Sequence, residues 1–85
     1  MFTSTQLSAL IQEASTRSYS GGEVAPDMTP DELATAYARV DDAYNKGEIS
    51  ADVRLWFRSS IAYRGYNSSA NIVKLSVTLF LSQLV

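Results

Sequence analysis

The fold turns on the apolar run Ile72-Val73-Lys74-Leu75-Ser76-Val77-Thr78-Leu79-Phe80-Leu81-Ser82-Gln83-Leu84-Val85. Val73, Leu75, Val77, Leu79 and Leu81 alternate with Lys74, Ser76, Thr78 and Ser82, broken only by Phe80, and a period of two is the signature of a strand. Wound as a helix, the same residues are apolar almost all round, with a thin polar strip of Lys74, Thr78 and Ser82. Periodicity alone favours the strand. Context favours the helix, because no other segment offers a strand to pair with and an orphan edge is costly. The expectation for 70–85 is therefore a helix, with an intermolecular β-strand as its alternative. The run is too short, and too often interrupted by Lys74, Ser76, Ser82 and Gln83, to read as a membrane anchor.

Upstream of it, Tyr66, Asn67, Ser68 and Ser69 read as a turn. Ser50 can cap a helix over about 51–64, closed by Gly65. In that helix Val53, Trp56, Phe57 and Ile61 share the core side, while Leu55 points nearly the opposite way. The strongest helix start is Thr29-Pro30-Asp31-Glu32. A capping threonine precedes a first-turn proline, and two acids sit where the helix dipole favours negative charge. Glu32 completes a capping box, and Met28 with Leu33 forms a hydrophobic staple. Leu33, Tyr37, Val40 and Tyr44 then make a narrow stripe, and Gly47 suits the left-handed residue that ends the helix.

Thr3 and Gln6 repeat the capping box at the N-terminus, with Phe2 and Leu7 as the staple. Leu7, Leu10, Ile11 and Ala14 give a first helix over about 4–16. Between the two helices the Gly21-Gly22 pair and Pro26 forbid a continuing helix. They leave a connector of about a dozen residues, long for a compact domain. It either crosses the top of a bundle or binds a partner through Tyr19. The fold class expected is all-α: one domain over 1–85, a small bundle of three to four helices.

Composition closes off most chemistry. The 85 residues include no cysteine and no histidine, which removes disulfides, thiolate metal sites, cysteine nucleophiles, the serine–histidine triad and histidine acid–base catalysis. Asp41 and Asp42 are adjacent, so on a helix they point about 100° apart and cannot readily share one site. Asp27 and Asp31 flank a helix start, where acids are structural by default. Gly21-Gly22 lacks the spacing and the lysine of a phosphate-cradling loop. No enzyme, cofactor or metal is expected. The N-terminal stretch has neither the basic region nor the continuous apolar region of a signal peptide, so a cytoplasmic or virion setting is expected.

Charge is the informative remainder. Residues 1–52 hold nine acids against three bases, a net of −6, and residues 53–85 hold four bases and no acid, a net of +4. Such asymmetry sets one half against the other, within a chain or between chains, or docks one end on a charged partner. The basic half also carries Trp56, Phe57, Tyr63 and Tyr66 among Arg54, Arg58 and Arg64. Bases interleaved with rings suit single-stranded nucleic acid. The spacing of Trp56 and Phe57, however, places them in the core, and four positive charges on an acidic chain are a thin footprint.

Leu55 and the apolar last segment carry more apolar surface than a small bundle hides, which points to a protein interface or self-association. The expected function is non-catalytic protein–protein interaction, as a small adaptor, a structural accessory subunit or an inhibitor of the kind phages and plasmids encode. The expected contact residues are Leu55, Leu79 and Leu81 with Arg54, Arg58, Tyr63, Arg64, Tyr66 and Tyr19. They would meet an acidic and apolar protein surface, or another copy in a homo-oligomer. The alternative is a nucleic-acid-binding module using Arg54, Arg58 and Arg64 with Tyr63 and Tyr66.

Overall fold

The computed structural model describes residues 1–61 and 68–84, with the backbone alone at 68 and 69. Four helices run through them: α1 Ser4–Tyr19, α2 Pro30–Asn45, α3 Ala51–Ile61 and α4 Ser68–Gln83. No strand occurs among the described residues, and the apolar run is helical. Its apparent alternation has a chemical cause. The Ser76 hydroxyl donates to the Ile72 carbonyl (2.7 Å), that of Thr78 to Lys74 (3.0 Å) and that of Ser82 to Leu79 (2.6 Å). Hydroxyls satisfied by the preceding turn need no water, so Ser76 sits in the interior at 1% exposure.

The local helix signals operate as read. Thr3 with Gln6 and Thr29 with Glu32 both close capping boxes, and Gly47 takes the left-handed conformation with φ +73°. Two boundaries move. Helix α1 continues past 16 to Tyr19, held by the Glu13–Arg17 pair one turn apart (2.7 Å) before Gly22 turns the chain at φ +64°. Ser68 and Ser69 belong to the first turn of α4 rather than to a turn before it, since serine suits a helix start as well as a turn. The expected end of α3 at Gly65 and the turn residues Tyr66 and Asn67 lie outside the described residues.

Helix α1 packs chiefly against α4, α2 against α3, and α3 also against α4. The centre is aromatic. Phe57 and Phe80 are fully buried, and the Phe80 ring lies 5.5 Å from Phe2, 5.5 Å from Trp56 and 5.9 Å from Phe57. Trp56 is thus a core contact, half-buried edge-on against Phe80. Leu7, Leu10, Val40, Ile49 and Val53 belong to the same main cluster, and Leu79 links it to a smaller one of Ala14, Ala25 and Leu75.

Two long-range ties close the bundle. The Phe2 N–H donates to the Glu48 carbonyl (2.7 Å) and its own carbonyl accepts from Ser50 N–H (3.0 Å), an isolated parallel bridge between the N-terminus and the α2–α3 turn. On the other side Asn71 holds the 20–29 connector. Its amide nitrogen donates to Ser18 Oγ (2.8 Å) and to the Glu23 carbonyl (2.9 Å), and its amide oxygen accepts from Ala25 N–H (3.0 Å). Lys74 adds an ion pair to Asp27 at 2.5 Å. The connector is fastened along α4 with Ala25 buried.

Candidate functional site

The outer side of α3 is set by the 11 described residues of that helix, with Val53, Phe57 and Ile61 on the buried side. Opposite them, Leu55 stands 66% exposed. Ala51, Asp52, Arg58 and Ser59 are exposed on the same side, and the Ser59 hydroxyl is occupied by the Leu55 carbonyl (3.0 Å).

Along one flank of Leu55 runs an ordered cluster joining α3 to α2. Arg54 donates through Nε to Asp41 Oδ1 (3.0 Å). Arg58 donates through one terminal nitrogen to both Asp41 oxygens (3.1 and 3.2 Å). The Arg54 guanidinium also lies over the Tyr44 ring, 4.8 Å from its centre, and that of Arg58 over Tyr37 at 5.6 Å. Tyr37 in turn meets buried Phe57 edge-on at 5.7 Å. The hydrogen bond from Arg54, reinforced by Arg58, holds the Asp41 carboxyl below the ordinary carboxylate range. A guanidinium has five N–H donors, and the others on Arg54 and Arg58 have no partner among the described residues.

The charge asymmetry resolves largely inside the chain. Of the four bases after residue 52, Arg54 and Arg58 take Asp41, and Lys74 takes Asp27. Asp41 and its neighbour part as their helical geometry requires, for Asp42 pairs with Lys46 instead (2.9 Å).

The expected contact residues therefore separate. Leu55, Arg54 and Arg58 come together on one face. Leu79 and Leu81 are elsewhere, half-buried against the core. Tyr19 is exposed at the end of α1, on a different helix. Tyr63, Arg64 and Tyr66 lie outside the described residues. Asp41, Tyr37 and Tyr44, which order the two arginines, escape a reading by helix because they lie on α2. The signal that points to them is the pair of bases one turn apart at 54 and 58, which a carboxylate on a neighbouring helix can bridge.

A cleft of about 340 Å³ opens between α2 and the end of α4, with Met28, Asp31, Arg39 and Leu81 on its walls. Most of its charged groups are committed to helix ends. The Thr29 backbone N–H holds the Glu32 carboxyl below its ordinary range. Arg39 donates to the Leu81 carbonyl (3.0 Å) and to that of Leu84, capping α4. Among the described residues no three acids gather as a metal would need, and no helix is long and apolar enough to cross a membrane. Against protein-family models, curated proteins and solved structures, the chain matches none.

Proposed function

We propose that the chain is a non-catalytic protein-interaction module whose contact face is the outer side of α3. The observation that carries this reading is Leu55, 66% exposed beside two arginines already held in place by Asp41, Tyr37 and Tyr44. Arginine and tyrosine dominate the energetics of protein interfaces. Side chains ordered before binding lose less rotamer freedom on association, which otherwise costs about 0.5–1.5 kcal/mol for each flexible side chain immobilised. The partner surface this face fits has an apolar seat for Leu55 and carboxylates for the unused guanidinium donors. The role is that of a small adaptor, accessory subunit or inhibitor. A histidine- and cysteine-free chain, with the Asp41 and Glu32 carboxylates accepting hydrogen bonds from structural partners, supports binding over catalysis.

The test is photo-crosslinking in the chain's own cells, with a photoreactive residue in place of Leu55 and, as control, of Gln12, which is exposed on α1. A discrete protein adduct from position 55 that is absent from position 12 is expected. Equal labelling from both positions, or adducts to nucleic acid alone, would overturn the reading.

A further inference from the structure

We infer that the occupant of this face is a second copy of the chain, its α3 lying antiparallel to the first with Leu55 on the two-fold axis; the inference rests on the protein-interaction reading above. The exposed residues of α3 that surround Leu55 are Ala51, Asp52, Arg58 and Ser59. Their spacing reads the same in both directions from Leu55. In an antiparallel pair, the residue k places after Leu55 meets the residue k places before it on the other copy. Asp52 then meets the partner's Arg58, and Arg58 meets the partner's Asp52. Ala51 meets the partner's Ser59, small against small, so the backbones can approach closely.

The ion-pairing supports this register. Among the described residues Asp52 has no cation within ion-pair distance, and the Arg58 guanidinium, stacked on Tyr37, bonds Asp41 through one terminal nitrogen and has N–H donors left over. Charge also decides the orientation. A parallel pair in the same register would set Arg58 on the partner's Arg58 and Asp52 on the partner's Asp52, and like charges in apposition are strongly disfavoured. Dipole preference alone places an acid early and a base late in many helices. What it does not supply is an exposed leucine midway between them with small residues just outside. A contact made by one face on both copies is isologous and closes at two.

The face is small. From Ala51 to Ser59 it runs roughly 12 Å at about 1.5 Å per residue, and across a helix about 10 Å wide it covers on the order of 120 Å², well short of the roughly 800 Å² per partner of a standard interface. The dimer is accordingly weak, with dissociation on the order of 10 μM to 1 mM.

Sedimentation equilibrium over that range tests it with charge exchanges in the full chain. D52R and R58D, each alone, are expected to weaken dimerisation by about tenfold or more, since each sets like charges together twice. An equal mixture of the two should recover the dimer, because one copy then supplies both bases and the other both acids. D52R/R58D on one chain should also dimerise. Thermal melts check that each variant folds, and D52R leaves the Arg58–Asp41 contact untouched, so it stands alone if R58D does not fold. Single variants that dimerise like wild type, or a folded mixture that recovers nothing, would overturn the register. A wild type that is monomeric throughout would overturn the second copy as occupant. If position 55 still crosslinks to a different protein, the interaction reading survives without this inference; with no adduct at all, both fall.

Discussion

Helices α3 and α4 both carry apolar residues beyond a single stripe, and the fold treats the surplus in opposite ways. In α4 it is taken inside: Ala70, Leu75, Val77 and Phe80 are buried, and Leu79 and Leu81, with Leu84 just past the helix end, pack half-covered against the core. In α3 the core takes Val53, Phe57 and Ile61 and leaves Leu55 outside. The difference follows from position. Helix α4 lies along α1, touches α3 and carries the connector on Asn71 and Lys74, whereas α3 touches α1, α2 and α4 but buries only its Val53, Phe57 and Ile61 side. Apolarity in a segment therefore says little about partner contact until it is known how much of the segment its neighbours cover. Here it moves the candidate contact away from the C-terminal run and onto α3.

Substitutions at Phe80, Asn71, Asp41 and Leu55 probe that contrast. The largest effect is expected from Phe80→Ala, which empties the centre where three rings meet. Urea denaturation should show a loss of about 3–5 kcal/mol, as for other buried aromatic truncations. Asn71→Ala comes next. It leaves the Ala25 N–H and the Glu23 carbonyl without their partner, and roughly 1–3 kcal/mol is expected to go. Hydrogen exchange at Ala25 should rise more than at Val40.

Asp41→Asn is expected to act more weakly, because the cluster is open to solvent and exposed ion pairs contribute little. Its mark is pH dependence. The Asp41 carboxyl is lowered chiefly by the Arg54 hydrogen bond, so its folded value lies below its unfolded one. The stabilisation is complete above the unfolded value and is lost as pH falls through the folded value. The melting difference between wild type and Asp41→Asn should shrink on acidification and vanish in strong acid. Leu55→Glu should change stability least, within about 0.5 kcal/mol, as at other exposed positions.

What the sequence made legible was local. Capping boxes, staple residues and the glycine at 47 are written within five residues of where they act, and Leu55 follows from spacing along a single helix. The ties that order the site span the chain. Asp41 reaches bases 13 and 17 positions away, Asn71 reaches back 46 to 53 positions, and Arg39 caps a helix end more than 40 positions on. Such pairings depend on how helices dock, which no local period encodes. The 72–85 run misleads for a different reason. Serine and threonine count as polar in a period, yet in a helix their hydroxyls bond the preceding turn and can be buried, as Ser76 is.

If α4 gives its apolar residues to the fold and α3 keeps one for a partner, Leu55→Glu and Leu79→Glu must differ. Thermal melts and sedimentation of both variants should part them. Leu79→Glu is expected to lower the melting temperature sharply, and Leu55→Glu to melt like wild type while losing association. A Leu79→Glu chain that melts like wild type and fails only to associate, or a Leu55→Glu chain that unfolds, would contradict the account.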